Sequence, residues 1–265
     1  MEISLFLGVL IGMVMGVTGA GGGVLAVPAL VNGMGWSMQQ AAPVALIAVA
    51  LGASLGTLEG WRKGLVRYRA ALLMVCCGLP FAFGGVAVAY WLPQRWLQAL
   101  FACVLVIVAV RLIRQTRADW REDIDKKLAR IDPETGRFGW SWVSGALFAG
   151  IGALAGFMAG LLGVGGGFVI VPALRRFTDV TMHAAVATSL MVIALVGCGS
   201  VLAALGQGAR LPHPETLLFA AATALGVGLG RKLSPRLSEK TVQRAFAIVL
   251  LVSAGSMALK AALSH

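Results

Sequence analysis

The chain has 265 residues, of which 58% are hydrophobic and only 12% are charged. A typical soluble domain is about 45–50% apolar and about 25% charged. This composition leaves too few polar side chains to cover a water-facing surface, so it excludes a soluble globular domain, a disordered chain and a disulfide scaffold. At about 20 apolar residues per membrane-spanning helix, the chain has room for roughly seven to nine spans.

The net charge is +11, from 22 Lys and Arg residues against 11 Asp and Glu residues. In a soluble protein this balance would point to nucleic acid as a partner. Here the basic residues cluster between apolar stretches, where the positive-inside rule places them in cytoplasmic loops. We therefore expect membrane lipid around the protein and no nucleic-acid partner.

Eight apolar stretches follow one another along the chain and are separated by polar or charged segments. Because every backbone N–H and C=O group in lipid needs an internal partner, each stretch is predicted to be helical. Their continuous rather than alternating apolar character argues against a β-barrel. The predicted helical regions are residues 3–31, 38–58, 70–91, 96–113, 142–174, 184–205, 215–230 and 242–262.

The two halves of the chain are related in sequence. A shift of 144 residues aligns Gly8–Leu30 with Gly152–Leu174, with 12 of 23 positions identical. Each copy contains a triple glycine that is followed by Val-Pro-Ala-Leu. We therefore predict a first repeat over 1–113, a charged cytoplasmic linker over 114–140 and a second repeat over 141–265.

Loop charge predicts how the halves lie in the membrane. The connections 59–69, 114–140 and 231–240 are rich in Lys and Arg, so all three are predicted to be cytoplasmic. Three apolar stretches separate the connection 114–140 from the connection 231–240. Two loops on the same side of the membrane must be separated by an even number of crossings, so three single crossings do not fit. Parity is restored if the glycine-broken stretch 142–174 is a hairpin. The same reasoning for 3–31 predicts an external N-terminus and an inverted repeat, each half being a broken hairpin plus three transmembrane helices.

Two glycine clusters are the candidate substrate-binding elements. They are Gly21, Gly22 and Gly23 in the first half and Gly165, Gly166 and Gly167 in the second. Consecutive glycines cost about 1 kcal/mol each in a helix interior, so they loosen or break the helix. A helix that restarts after the break points free N–H groups at it, and such termini bind oxyanions. Close helix packing is the alternative explanation for the clusters.

Hydroxyl side chains near the clusters are further candidates for binding the substrate. Thr188 and Ser189 begin an otherwise apolar stretch and can donate hydrogen bonds to an oxyanion. A bond back to a helix carbonyl is the alternative. Thr18 is the candidate for the opposite hydroxyl. Because Val44 and Ala45 are the first-half counterparts of the Thr-Ser pair, the predicted cradle is chemically asymmetric.

Neither catalysis nor a bound cofactor is expected. The glycine clusters lack the Lys-Ser/Thr of a nucleotide loop, and the four cysteines show neither CxxC nor metal-ligand spacing. No catalytic residue and no metal ligand is therefore predicted. The adjacent Cys76 and Cys77 leave an intramembrane thiol-redox protein as one alternative, and a second copy of the chain is left open as a partner.

The second-half run from Gly160 to Leu174, together with AVATSL at 185–190, resembles the most recognisable stretch of the sulfite exporter TauE/SafE family of membrane transporters. The first half carries the glycine motif as well. The resemblance implies a multi-pass carrier in the bacterial inner membrane for sulfur-containing anions such as sulfite, sulfoacetate or related organosulfonates. The first half departs from the pattern at 42–46, where a second Thr-Ser pair would stand.

These observations predict an all-α secondary transporter that binds a small oxyanion between the two glycine breaks and works by alternating access. A gradient would supply the energy, since the chain has no ATP-binding motif. The alternative is a non-transporting membrane subunit or scaffold whose glycine runs serve helix packing. That alternative predicts glycines buried in helix contacts and no cavity lined by Thr188.

Overall fold

The computed structural model describes residues 2–117, 141–209, 211–212, 214–233 and 239–263. The regular elements in this part of the chain are helical, which confirms the predicted all-α fold. A 3₁₀ helix over Gly19–Leu25 joins the first two α-helices. The α-helices are α1 (Glu2–Thr18), α2 (Ala26–Gly33), α3 (Met38–Arg62), α4 (Tyr68–Trp91), α5 (Gln94–Arg117), α6 (Trp142–Leu162), α7 (Gly167–Phe177), α8 (Met182–Gly206), α9 (Glu215–Leu233) and α10 (Glu239–Leu263).

Seven helices of the described part are long and apolar enough to cross a membrane, namely α3, α4, α5, α6, α8, α9 and α10. Helices α1, α2 and α7 are shorter and flank the two glycine clusters. The helix predicted over 96–113 continues to Arg117, because arginine is a good helix former and lets α5 extend past its apolar stretch. The predicted linker therefore begins inside α5, and its residues 118–140 lie outside the described residues.

Side-chain caps mark where several helices begin. Ser37 and Gln40 form a capping box at the start of α3, in which each side chain bonds to the other's backbone N–H group at 3.2 Å. Ser141 and Ser144 form the same reciprocal arrangement at the start of α6. Each cap satisfies backbone donors that a helix leaves without an internal partner. These polar residues therefore define where the membrane-spanning segments start.

Helices from the two halves pack against each other in matching pairs. Helix α1 packs on α9 and α6 packs on α4, while α3 pairs with α8 and α5 pairs with α10. Helices α1 to α5 of the first half correspond to α6 to α10 of the second. The α1–α9 pair therefore corresponds to the α6–α4 pair, and the α3–α8 and α5–α10 pairs each correspond to themselves. The core lies between the halves, and Phe101, Phe148 and Phe219 are among its fully buried side chains.

Glycine stripes bring the first two pairs into close contact. A Cβ added at Gly12 of α1 would overlap the carbonyl oxygen of Thr223 in α9. A Cβ added at Gly156 of α6 would overlap the carbonyl oxygen of Gly78 in α4. A Cβ added at the neighbouring members of each stripe would also lie within 3 Å of a backbone carbonyl oxygen of the paired helix, at Gly8, Gly16, Gly152 and Gly160. The missing side chains at these glycines thus let the backbones of the paired helices approach closely.

Helices α3 and α8 run antiparallel along each other. Gly60, near the end of α3, lies against Ala187 near the start of α8. Gly197, further along α8, lies against Ala50 in the middle of α3. The start of one helix therefore lies beside the end of the other. We call the end of the bundle where α3 ends and α8 begins the basic face, because it carries Arg62, Lys63, Arg67, Arg69 and Arg231.

Each glycine cluster makes the chain fold back on the helix before it. Gly22 lies against the backbone of Met15, and a Cβ added at Gly166 would lie 2.6 Å from the carbonyl oxygen of Ala155. In the first hairpin, α2 returns alongside α1 until Gly33 contacts Leu7. Both glycine clusters are thus the turns of helical hairpins.

The two turns lie at opposite ends of the α3–α8 pair. Gly19 lies against Val186 near the start of α8, at the basic face. Gly163 lies against Ala42 near the start of α3, at the opposite face. These are the same contact with the halves exchanged, since 144 residues separate Gly19 from Gly163 and Ala42 from Val186.

Candidate functional site

The second glycine cluster breaks the helix outright. Gly163 caps α6 in the left-handed conformation (φ +75°), and Gly165 and Gly166 also have positive φ values, +76° and +71°. Side chains disfavour this region because of their Cβ atom, so three positive φ values so close together require glycine. Helix α7 then restarts at Gly167. The glycines at these positions therefore permit the break.

The restart leaves backbone donors without acceptors. The first hydrogen bonds of α7 run from the N–H groups of Val169 and Ile170 to the carbonyl of Gly166, at 3.0 and 3.2 Å. The described residues supply no acceptor to the N–H groups of Gly165, Gly166 and Gly167, which precede this ladder. All three residues are buried. Buried N–H groups without partners are rare in proteins, and at a helix N-terminus they form an anion-binding arrangement.

The first cluster has a different backbone. Gly19 has a φ of +74°, but the residues after it, which include Gly21, Gly22 and Gly23, form a 3₁₀ helix that leads directly into α2. In a 3₁₀ helix each N–H group bonds to a carbonyl three residues earlier, and Ala26 bonds to Gly23 in this way. The first cluster therefore turns the chain while keeping its amides in the helical ladder. Two similar glycine motifs thus differ in structure. The second breaks the helix and leaves free N–H donors, whereas the first turns the chain with its N–H groups still hydrogen-bonded.

The two clusters approach each other at α3. A Cβ added at Gly23 would lie 3.0 Å from both γ-carbons of Val49 and 3.6 Å from the carbonyl oxygen of Val164. A Cβ added at Gly165 would lie 3.2 Å from Val49 and 2.9 Å from Ile193 of α8. Val49 and Ile193 are each 1% exposed, so apolar side chains close this region in the present conformation.

The predicted hydroxyl side chains are buried and hydrogen-bonded within the protein. The oxygen of Thr188 accepts a bond from the backbone N–H of Arg67 at 3.0 Å, an arrangement that uses the oxygen and not the hydroxyl proton. Ser189 donates to the carbonyl of Val186 at 2.8 Å. Thr18 donates to the carbonyl of Val14 at 2.7 Å. Of these three, Thr188 keeps its proton available for a further acceptor.

The candidate residues follow a line from the basic face toward the centre. Val186, which touches Gly19, is followed on α8 by Thr188 and Ser189. Five residues separate Thr188 from Ile193, or about 7.5 Å along the helix axis. Gly165 of the second break lies against Ile193. The hydroxyl pair therefore lies between the first hairpin turn and the free amides of the second.

Two charged residues near this line were missed by the sequence analysis as site residues. Arg231 of α9 donates to a carboxylate oxygen of Glu59 in α3 at 3.0 Å, and its guanidinium lies against Gly56. Leu190, the residue after Ser189, contacts the same glycine. In the sequence, Arg231 serves only as a marker of a cytoplasmic loop, because nothing local links it to a residue 172 positions away.

The described residues show neither a metal-ligand cluster nor a disulfide. They contain no group of three or more His, Cys, Asp or Glu residues that could hold a metal ion. The four cysteines are free, and Cys76, Cys103 and Cys198 are exposed on the outside of the helix bundle. The free amides of Gly165, Gly166 and Gly167 and the hydroxyl group of Thr188 offer hydrogen-bond donors at this site.

Comparison with known proteins gives a consistent result. A probable membrane transporter protein of Xylella fastidiosa is 26% identical over 250 residues, which cover 93% of this chain and 90% of the relative. Another, from Methanocaldococcus jannaschii, is 24% identical over 254 residues, covering 89% and 88%. The probable membrane transporter protein YjnA of Bacillus subtilis is 24% identical over 262 residues, covering 96% and 98%. No solved structure matches the chain.

A multi-pass helical protein with hairpins broken by glycine and with these relatives is a membrane transporter rather than an enzyme. The sequence profile of the sulfite exporter TauE/SafE family matches residues 4–257, which is nearly the whole chain. The chain belongs to this family, and the resemblance noted in the sequence is confirmed.

Proposed function

We propose that the protein is a secondary transporter of small sulfur-containing oxyanions, namely sulfite, sulfoacetate or related organosulfonates, in the bacterial inner membrane. The observation that carries this proposal is the group of buried, unpaired N–H donors at Gly165, Gly166 and Gly167. An oxyanion presents several acceptor oxygens and a negative charge, and both are stabilised at a helix N-terminus.

The hydroxyl groups would complete the cradle from the α8 side. Thr188 has a hydroxyl proton available, and Ser189 can turn its proton from the Val186 carbonyl to a substrate oxygen. The first cluster contributes mainly by shape, since Gly22 and Gly23 allow close approach of the backbone. Thr18, beside the first turn, is the opposite hydroxyl. The cradle is thus asymmetric, with most donors on the second half.

Alternating access follows from an inverted repeat. The antiparallel α3–α8 pair and the exchange of the Gly19–Val186 and Gly163–Ala42 contacts support two halves of opposite orientation. In such transporters one half rocks against the other around a central site. The present conformation is closed, because Val49 and Ile193 cover the region between the glycine clusters. Binding therefore requires the halves to separate on one side.

Flux of labelled sulfite in proteoliposomes tests this proposal, with sulfate and sulfoacetate as competitors. We expect saturable flux that sulfoacetate inhibits. Ser189→Ala is the site variant and Ser200→Ala its matched control, because both hydroxyls are fully buried and donate to carbonyls of α8. Ser189→Ala is expected to lower flux about tenfold, as the loss of a hydrogen bond to a charged group predicts, while Ser200→Ala leaves flux unchanged.

The result separates substrate binding from helix packing. Both variants remove a back-bonded hydroxyl from the same helix, so a purely structural effect is expected to be equal in the two. Equal flux in both variants would contradict the proposed site. Sulfite flux that is not saturable, or that sulfoacetate does not inhibit, would contradict the proposed substrate class.

A further inference from the structure

Arg231 lies in the last turn of α9 at the basic face, where two glycines make room for it. Its backbone nitrogen is 3.0 Å from the position of a Cβ added at Gly16 of α1. Its guanidinium lies against Gly56 of α3, which also contacts Leu190 of α8. The cation therefore occupies the cleft between α3, α8 and α9, beside the residue that follows Ser189.

Glu59 holds the guanidinium in this cleft. One oxygen of Glu59 accepts the bond from Arg231 at 3.0 Å, and the other accepts a bond from Lys63 at 2.6 Å. The Lys63 contact lies within α3, and its side chain is 62% exposed, whereas that of Arg231 is 26% exposed. The Arg231 contact thus joins two helices and is less screened by solvent.

The repeat places different chemistry at the opposite face. A shift of 144 residues maps Glu59 onto Ala203 and Leu190 onto Leu46. Ala203 belongs to a small apolar cluster between α4 and α8, and Leu46 lines a cavity of about 20 Å³ that has room for about one water molecule. One face is therefore closed by an ion pair and the other by apolar contacts.

We propose that Arg231 and Glu59 form the gate of the basic face, in which an entering oxyanion takes the place of Glu59 on the guanidinium. Carboxylate, sulfite and sulfonate groups all present oxygens that suit the donor fork of arginine. Once the anion binds Arg231, α9 is no longer tied to α3 and the cleft at Leu190 opens toward the hydroxyl pair. This gate rests on the proposed transport of anions.

Cysteine accessibility measures the gate without measuring transport. The four native cysteines are replaced by alanine, and one reporter is introduced, Leu190→Cys at the gate or Leu46→Cys at its counterpart. Leu190 is 4% exposed and Leu46 is 2% exposed, so both start protected. The rate of labelling by a charged maleimide is measured in lipid nanodiscs, where both faces meet the reagent. Sulfoacetate is the probe anion, because sulfite itself adds to maleimides.

The gate predicts a specific pattern of labelling rates. Sulfoacetate and the Glu59→Gln change each accelerate labelling of the Leu190→Cys reporter. The change is expected to accelerate it up to about fivefold, because the carboxylate of this ion pair is 49% exposed. In the Arg231→Gln variant the Leu190→Cys reporter is labelled as fast as in Glu59→Gln, and sulfoacetate no longer changes the rate. The charge-swapped double variant Glu59→Arg with Arg231→Glu restores slow labelling. Lys63→Gln remains at the starting rate, and so does Leu46→Cys in every variant measured without sulfoacetate.

Several results would overturn the gate. They are slow labelling in Glu59→Gln, fast labelling in the charge swap, no response of the parent to sulfoacetate, and fast labelling at Leu46→Cys in the absence of sulfoacetate, which would show a loosened fold. If labelling behaves as expected while no sulfite flux is found, the gate stands and the proposed transport of sulfite fails. If flux is saturable while labelling never responds, the gate alone fails.

Discussion

The side-chain oxygen of Thr188 on α8 accepts a hydrogen bond from the backbone N–H of Arg67, the residue that precedes α4, at 3.0 Å. Thr188 is 1% exposed, so water competes little for this bond. The bond ties a second-half residue of the candidate site to the first half of the chain. Thr188 thus has a structural partner in addition to its proposed role in binding the substrate.

Thr188→Val is expected to lower the free energy of unfolding by about 1 kcal/mol, because it removes the acceptor of a partly buried N–H group and keeps the shape of the side chain. Thr188→Ser retains the oxygen and is expected to preserve both stability and flux. Thermal unfolding in detergent and sulfite flux in proteoliposomes measure the two effects. A Val variant as stable as the parent would mean that Arg67 finds another acceptor at no cost.

The glycine stripes give a second prediction about stability. Gly156→Ala is expected to destabilise the protein by about 1–3 kcal/mol, because the added methyl group overlaps the Gly78 carbonyl and overpacks the α6–α4 contact. Gly150→Ala on the same helix is the control, since an added Cβ meets no atom within 4 Å there. Its expected effect is neutral or slightly stabilising, as alanine is the better helix former. Thermal unfolding of the two variants measures the difference in stability. Equal melting temperatures would contradict the packing role of Gly156.

Local chemistry made the helices and the glycine stripes predictable from the sequence. Apolar stretches must be helical in lipid, and glycines spaced by four residues lie on one helix face. The hairpin turns were predictable for the same reason, because consecutive glycines weaken a helix wherever they occur. The helix ends moved by a few residues, as at Arg117, where good helix formers extend a span beyond its apolar part.

The features that could not be predicted from the sequence depend on contacts between residues that are distant in the chain. The clusters GAGGGVL and GVGGGFV look equivalent, yet Gly19–Leu25 stays in a 3₁₀ ladder while Gly163–Gly166 leaves it. The contact between Glu59 and Arg231 joins residues that are 172 positions apart, so no local sequence pattern predicts it. The partner of Thr188, Arg67, is likewise distant in sequence and belongs to the other half.

The orientation of the halves in the membrane is testable with two exposed residues. Lys63 and Gln207 are 144 residues apart and end α3 and α8, on opposite faces of the antiparallel pair. In intact bacterial cells, a charged maleimide is expected to label Gln207→Cys, while Lys63→Cys is labelled only after permeabilisation, because the positive-inside rule predicts that the basic face is cytoplasmic. Labelling of both cysteines from the same side would contradict an inverted repeat.

Cross-links between α3 and α8 test whether transport moves the halves against each other. A Cβ added at Gly60 lies 2.7 Å from the Cβ of Ala187, and one added at Gly197 lies 3.2 Å from that of Ala50. Disulfides have Cβ–Cβ distances of about 3.5–4.5 Å, so both cysteine pairs can close after a small shift. The first pair lies at the basic face and the second lies near the middle of both helices.

Rocking about a central site moves the ends of these helices more than their middles. Oxidation of the Gly60→Cys, Ala187→Cys pair is therefore expected to lower flux about tenfold or more, with recovery in dithiothreitol. The Ala50→Cys, Gly197→Cys pair is the matched control and is expected to retain most of the flux when oxidised. Labelled sulfoacetate is the substrate for both, because sulfite cleaves disulfides. Full flux with the terminal pair locked would show that the α3–α8 contact at the basic face stays intact during transport, and the rocking of the halves would have to be abandoned.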